Sequence, residues 1–86
     1  MFLKTIAIYM AVKIISFGQL GPITGNSLVL EESISDTDTL KQLLENRFPA
    51  LGELNYVMAV DKNIIGGNTV LKESVTIALL PPFSGG

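Results

Sequence analysis

One stretch of this sequence has the periodicity of an amphipathic helix, and it limits the possible folds more than any other feature. Apolar residues recur there at i, i+3, i+4 and i+8, at positions Leu40, Leu43, Leu44 and Phe48. Asp36 or Ser35 supplies an N-cap oxygen, and Pro49 ends the helix because a residue that precedes proline is disfavoured in helical geometry. A lone helix must bury its apolar face against another element. We therefore predict that it packs across a sheet.

The other apolar segments are short, rich in valine and isoleucine, and bounded by glycine and proline, which is typical of β-strands. We predict strands over residues 12–17, 27–31, 56–60 and 75–80. The first is interpreted as a buried strand that forms a hairpin with the second through a glycine-rich loop at 18–26. The last is placed centrally in the sheet. The predicted fold class is α+β, a mixed sheet of four to five strands with one main helix packed across it.

Two turns are predicted between the third and last strands. The first lies around residues 61–63, and the second at Gly66-Gly67, a dipeptide suited to a tight turn with positive φ. Three further glycines, Gly18, Gly21 and Gly25, fit neither the dinucleotide-binding spacing nor that of a P-loop. We therefore interpret them as turn residues.

The composition excludes several kinds of site. The 86 residues include no cysteine and no histidine, so disulfides, Cys/His metal sites, thiol nucleophiles and histidine-based triads are ruled out. A net charge of −2 with Arg47 as the single arginine leaves no basic stripe, and we predict no nucleic-acid binding. The acidic residues are assigned to helix caps and solvated surface. We predict no metal site, no cofactor bound by the chain itself and no autonomous enzyme activity.

The N-terminal segment does not have the features of a targeting sequence. The apolar run at residues 5–12 is much shorter than the roughly 20 residues of a membrane span, and no small-residue cleavage site follows it. We expect residues 1–9 to extend the first strand or to precede the true start, and residues 10–80 to form the domain. The absence of cysteine suits an intracellular location. We therefore predict a cytoplasmic protein without membrane association.

The last predicted strand runs directly into six residues that cannot continue it, Pro81-Pro82-Phe83-Ser84-Gly85-Gly86. Two prolines cannot extend a sheet ladder and favour a stiff, extended chain, and the final two residues have no side chain. Six residues reach at most about 20 Å at roughly 3.3 Å each. We predict that residues 81–86 form a thin tail that enters a narrow channel in another protein and presents the α-carboxylate of Gly86 there.

This ending, together with residues 12–17 and with Ala59-Val60-Asp61, resembles the small subunit of molybdopterin synthase, a ubiquitin-like sulfur carrier with the β-grasp fold. The resemblance covers about residues 10–86. The chain departs from the family where Gly21-Pro22 replaces Arg-Glu and where Asp61 replaces an asparagine. It departs again before the last strand, where Glu73-Ser74 stands and the family's glycine is missing. These departures fall in loops.

The resemblance implies chemistry at Gly86, with Gly85 beside it. A ubiquitin-activating-type enzyme would use ATP to convert the Gly86 carboxylate to an acyl-adenylate, and sulfur would then replace AMP to give a thiocarboxylate. That sulfur would pass to a cyclic pterin precursor inside the large synthase subunit, within a heterotetramer. Matching positions imply two groups of partner-binding residues, a hydrophobic contact group of Phe17, Ile64 and Leu80 and a tail group of Pro81, Pro82, Phe83 and Ser84.

Three other functions fit the same residues. The first is a sister sulfur carrier that serves thiazole synthesis or tRNA thiolation. The second is a protein modifier that is conjugated to lysines through Gly86. The third is an inert β-grasp interaction module. The diproline and the chain length favour the molybdopterin branch.

Overall fold

The computed structural model describes residues 11–72 and 74–82. Within them one five-stranded sheet is formed by β1 (Val12–Ser16), β2 (Ser27–Leu30), β3 (Val57–Val60), β4 (Asn63–Ile64) and β5 (Val75–Leu80). The strand order is β2-β1-β5-β3-β4. β1 and β5 are parallel, and the other neighbouring pairs are antiparallel. The mixed sheet, the β1–β2 hairpin and the central last strand are all confirmed.

Two α-helices, α1 (Gly21–Thr24) and α2 (Thr37–Arg47), and two 3-10 turns, Gly18–Leu20 and Pro49–Glu53, accompany the described sheet. α2 is the predicted amphipathic helix. Asp36 is its N-cap residue, and the chain leaves helical geometry at Phe48, directly before Pro49. Both predicted boundaries of the helix are therefore confirmed.

The start of α2 is held from two sides. Asp36 Oδ1 accepts a hydrogen bond from the Thr39 amide at 2.9 Å. From the segment before β5, the Thr69 carbonyl accepts one from the Thr37 amide at 2.9 Å, and Asn68 Oδ1 accepts one from the Asp38 amide at 2.9 Å. Donors that a helix leaves unpaired at its first turn are thus satisfied. These contacts fix α2 to the segment that leads into β5.

Hydrogen bonds from Thr39 and then Asn68 hold the pKa of the Asp36 carboxyl below its usual value of 3.8, because both stabilise the ionised form. The stability that Asp36 contributes is present above pH 3.8 and is lost as the pH falls through the lower pKa of the folded protein. The melting temperature of the wild type should therefore fall more steeply than that of Asp36→Asn between about pH 5 and about pH 2. Asparagine is the control because it retains a capping oxygen and does not titrate. Parallel melting curves would contradict this assignment.

The core lies between α2 and one face of the sheet. Its largest fully buried side chains are Val12, Ile14, Leu20, Leu30, Leu40, Leu44, Leu51, Ile77 and Leu79. Of the predicted apolar helix positions, Leu40 and Leu44 are fully buried, whereas Leu43 and Phe48 are partly buried at the margin of this cluster. The helix face is confirmed as core packing.

The predicted loop at residues 18–26 is wrong in part, because the 3-10 turn and α1 occupy most of it. Leu20 is fully buried and fixes the 3-10 turn to the core. Pro22 lies in the first turn of α1, where its missing N–H has no helical partner to lose. The buried hydroxyl groups of Ser16 and Thr24 form a hydrogen bond of 2.6 Å. These contacts convert a glycine-rich segment into ordered secondary structure.

Two other predictions are corrected. Gly66 and Gly67 do not adopt positive φ. The hairpin turn lies instead at Asp61 and Lys62, with φ of 46° and 77°, in the turn predicted around residues 61–63. The first strand is not buried along its length, since the side chains of Lys13 and Phe17 are exposed. Its second face is uncovered in the described protein.

Candidate functional site

The face of the sheet that points away from α2 is apolar. Successive side chains of a strand point to opposite faces, so the buried Ile14 and Ile77 place their neighbours on the uncovered side. We call this side the helix-free face. The register aligns Ile15, Ala78, Ala59 and Ile64 as one row across β1, β5, β3 and β4. The next row pairs Leu80 with Val57, and Phe17 follows β1 beside Leu80.

The three residues predicted as a contact group share this face. Phe17 is 46% exposed, Ile64 is 60% exposed and Leu80 is half-buried. We use the name apolar patch for Phe17, Ile64 and Leu80 together with the half-buried Ile15 and Ala78 and the buried Ala59 between them. The structure brings the patch residues onto one surface although they lie far apart in the sequence.

A hollow of about 350 Å³ lies on this face, lined by Ile15, Phe17, Asp61, Lys62, Thr76 and Ala78. The Asp61–Lys62 turn forms one side and is fixed to β5 by two hydrogen bonds. The Asp61 amide donates to the Thr76 carbonyl at 2.9 Å, and the Thr76 amide donates to Asp61 Oδ1 at 3.1 Å. Lys13 is exposed on the same face. The centre of this site is therefore apolar, and Lys13 and Lys62 lie at its margin. An apolar centre with a polar rim suits contact with another protein.

The tail begins at Pro81, beside the apolar patch. The Phe17 amide donates to the Leu79 carbonyl at 3.0 Å, one residue beyond the end of β1. Pro81 is half-buried and Pro82 is exposed. The predicted tail residues Phe83, Ser84, Gly85 and Gly86 lie outside the described residues, as does the N-terminal segment 1–9.

Two groups with shifted pKa values lie outside the patch and have structural explanations. Asp36 caps α2. Burial, followed by the hydrogen bond and the charge of Glu45, raises the pKa of Tyr56, whose hydroxyl donates to Glu45 Oε2 at 2.6 Å. Among residues 11–72 and 74–82, no group of three acidic residues is arranged to bind a metal ion. No helix in the same ranges has the length and hydropathy of a membrane span.

Sequence reasoning missed part of this surface. The sequence predicts no binding role for Ile15, Ala59 or Ala78, although the alternation along 12–17 and 75–80 contains that signal. It predicts only a turn residue at Gly18. In the structure Gly18 lies against Pro81, and no local pattern indicates this, because the two residues are 63 positions apart.

The β-grasp sheet with one main helix, the apolar patch on the helix-free face and the tail that follows the central strand define a ubiquitin-like carrier protein. A family model described as the ThiS family matches residues 14–86, and the chain belongs to this family. It is therefore a ubiquitin-like sulfur carrier. The resemblance found in the sequence and the predicted β-grasp fold are both confirmed.

Solved structures agree with this assignment. Small archaeal modifier protein 1 from Methanosarcina acetivorans is 27% identical, with a TM-score of 0.74 over 88% of this chain and 96% of that one. A chain in the complex of subunits 1 and 2 of the molybdopterin-converting factor from Helicobacter pylori is 29% identical. It has a TM-score of 0.67 over 90% of this chain and 100% of that one. Urm1 from Trypanosoma brucei, at 17% identity, shares the fold, with a TM-score of 0.65 over 90% of this chain and 96% of that one.

Proposed function

We propose that this chain is the sulfur-carrying small subunit of a molybdopterin synthase, loaded as a thiocarboxylate on Gly86. The observation that carries the proposal is the place where the tail begins. Pro81 follows β5, which is hydrogen-bonded on both sides as the central strand, and it lies beside the apolar patch. A partner that covers the patch would thereby receive the tail at a fixed place. Similarity to a chain from the two-subunit molybdopterin-converting factor supports this choice among sulfur-carrier pathways.

The chemistry requires activation from outside the chain. A terminal carboxyl has a pKa of about 3.5, so at neutral pH it is an anion and a poor acyl donor. In the proposed first step, a carboxylate oxygen of Gly86 attacks the α-phosphorus of ATP on a ubiquitin-activating-type enzyme, and pyrophosphate leaves. Hydrosulfide from a sulfur donor then attacks the carbonyl carbon. The bond from this carbon to the AMP oxygen breaks, AMP leaves and the thiocarboxylate remains. The large subunit would bind the cyclic pterin precursor that accepts this sulfur.

The glycines at 85 and 86 suit two different partners. Because these two residues have no side chains, they would pass through a narrow channel and leave the terminal carbonyl open to attack. Pro81 and Pro82 stiffen the start of this tail, which lowers the conformational entropy lost when it enters a partner. In this proposal Phe83 and Ser84 contact the walls of the same channel in the partner. The assembled synthase is expected to be a heterotetramer, which a measurement of particle mass tests.

Intact-mass analysis tests the proposal. The chain is incubated with a ubiquitin-activating-type enzyme, ATP and a sulfur donor, and a parallel sample omits ATP. We expect the mass to increase by the difference between a sulfur and an oxygen atom in the ATP sample alone. Fragmentation should place the gain on Gly86. No gain with an enzyme that loads another sulfur carrier would contradict the proposal and favour an inert interaction module.

Leu80→Glu is expected to weaken association with the large subunit more than it lowers the melting temperature. Leu80 is half-buried on the helix-free face, so a carboxylate there retains water in the free protein and loses it in a complex. We expect the Kd to rise at least ~10-fold, which is about 1.4 kcal/mol. Titration calorimetry and thermal melting measure the two effects.

The matched control is Leu43→Glu, which introduces the same charge at a half-buried leucine of α2, on the other side of the sheet. It should lower the melting temperature and leave the Kd unchanged. If folded Leu80→Glu protein binds the large subunit with wild-type affinity, the patch is not the docking surface.

A second candidate function is a protein modifier, because the chain is similar to small archaeal modifier protein 1 over nearly its whole length. The activated Gly86 carbonyl would then be attacked by a lysine amine of a target, with loss of AMP. Such targets would appear as higher-mass conjugates in a blot against this chain. A sulfur carrier for thiazole synthesis or tRNA thiolation would form the same thiocarboxylate. It would differ in the acceptor, so a cyclic pterin substrate separates it from the proposed function.

A further inference from the structure

We propose that Gly18 is a positioning residue that fixes the direction in which the tail leaves the body, by providing the surface on which Pro81 rests. This inference depends on the proposed function for its purpose, since a directed tail matters when Gly86 has to reach a partner's reaction centre. Its physical basis is a contact between the first turn after β1 and the first residue after β5. No pattern in the sequence predicts that contact.

A side chain at position 18 would press on the proline ring, which would have to move by a few tenths of an ångström. A Cβ built on Gly18 would lie 3.0 Å from Pro81 Cγ and 3.8 Å from Pro81 Cδ. Gly18 also has a φ of 57°, in the left-handed region that residues with a Cβ rarely adopt. Glycine is thus favoured here for two separate reasons, its backbone conformation and its contact with the proline ring.

Both sides of the contact are fixed to the body. The 3-10 turn that begins at Gly18 is attached to the core by the fully buried Leu20. On the other side, the hydrogen bond from the Phe17 amide to the Leu79 carbonyl holds the end of β5. Pro81 has a restricted φ and no N–H to form a ladder bond, so packing on Gly18 takes the place of strand pairing. Pro81 is therefore held by packing and not by a ladder hydrogen bond.

The length available to the tail follows from this assignment. Beyond Pro81 the five remaining residues can extend at most about 17 Å at roughly 3.3 Å each. A shift of Pro81 changes the starting direction of the whole segment. Errors of about 1 Å in the position of a reacting group reduce rates by up to about 100-fold. Gly18 would act on the reaction through Pro81, without touching a reacting atom.

Gly25 provides a matched control for backbone strain. It has a φ of 89°, and a Cβ there would meet only the Ser27 carbonyl oxygen at 3.9 Å, an ordinary contact distance. Gly18→Ala and Gly25→Ala should both reduce the folded-to-unfolded ratio, by about 5- to 30-fold. Only Gly18→Ala should displace Pro81. Effects seen in Gly18→Ala and not in Gly25→Ala are therefore assigned to the contact with the tail.

The first measurement needs no partner. Because the chain has no cysteine, Ser84→Cys introduces a unique attachment point for a nitroxide spin label. Paramagnetic broadening of the body amides is then compared in the otherwise wild-type, Gly18→Ala and Gly25→Ala backgrounds by NMR. We expect a different set of broadened amides in Gly18→Ala and an unchanged set in Gly25→Ala. Identical sets in all three backgrounds would overturn the proposal.

The second measurement is the rate of Gly86 loading by the ubiquitin-activating-type enzyme. Gly18→Ala should lower kcat at least about tenfold, because the tail is misdirected while the docking surface is intact, so KM should stay within about twofold. Gly25→Ala should keep both constants. Pro81→Ala removes the ring from the same contact, and adding Gly18→Ala to it should produce little further loss. Equal losses in Gly18→Ala and Gly25→Ala, or additive losses in the double variant, would contradict the proposal.

The two levels of inference fail differently. If the wild type is never loaded, the proposed function is wrong, and the broadening pattern still decides whether Gly18 directs the tail. If the wild type is loaded and Gly18→Ala keeps the wild-type kcat, the proposed function stands and the role of Gly18 is rejected.

Discussion

An alanine added after Gly86 is expected to slow thiocarboxylate formation strongly while leaving the melting temperature unchanged. The added residue moves the terminal carboxyl by up to about 3.8 Å, the spacing of consecutive Cα atoms, and places a methyl group beside the reacting carbon. A misplacement of this size should slow loading by at least ~100-fold, about 2.7 kcal/mol of activation free energy. A time course of intact mass with the activating enzyme, ATP and a sulfur donor measures the rate.

The control is a chain with the same alanine placed at its N-terminus, which should be loaded at the wild-type rate. An added glycine after Gly86 separates the two causes, because it moves the carboxyl without introducing a methyl group. Both C-terminal extensions should be inactive if the position of the carboxyl matters. Loading of the alanine-extended chain at the wild-type rate would show that Gly86 is not the reacting residue.

Ile77→Ala is expected to have the largest effect on stability. Ile77 is 0% exposed in the central strand, where the register pairs it with Ile14 on one side and Val60 on the other. Truncation of a buried isoleucine removes apolar contacts and leaves a cavity, at a cost of about 2–5 kcal/mol. Total stabilities of small domains are about 5–15 kcal/mol, so much of the stability would be lost. Chemical denaturation measures the loss as a lower midpoint.

Ile64→Ala is the matched control, since it makes the same truncation at a residue that is 60% exposed. It should change the free energy of unfolding by less than about 0.5 kcal/mol. Because Ile64 belongs to the apolar patch, it should nevertheless weaken binding to the large subunit. A stability loss at position 64 equal to that at position 77 would contradict the division of the sheet into a core face and a helix-free face.

Local signals in the sequence predicted the elements whose formation depends on nearby residues. The boundaries of α2 were recovered because an N-cap oxygen at Asp36 and the backbone restriction from Pro49 act within one or two turns. The central position of β5 was predicted because a nearly continuous apolar strand is stable when strands pair with both of its edges and a helix packs on its face. The tail over residues 81–86 stays a prediction from composition, since Phe83 to Gly86 lie outside the described residues.

The errors fell where longer-range contacts decide the conformation. Residues 18–26 form short helical turns because the buried Leu20 and the Ser16–Thr24 hydrogen bond supply contacts that local composition does not show. The positive-φ turn formed at Asp61-Lys62, although Gly66-Gly67 has the lower conformational cost. Pairing of Asp61 with Thr76 of β5 offsets that cost.

The sequence by itself determined the family, the fold class and the chemical character of the tail, because these depend on periodicity, on missing residue types and on a run of adjacent residues. The tertiary structure decided which side chains form the apolar patch, and it placed Gly18 under Pro81. Those relations depend on strand register and on the parallel pairing of β1 with β5, which bring together residues from opposite ends of the chain.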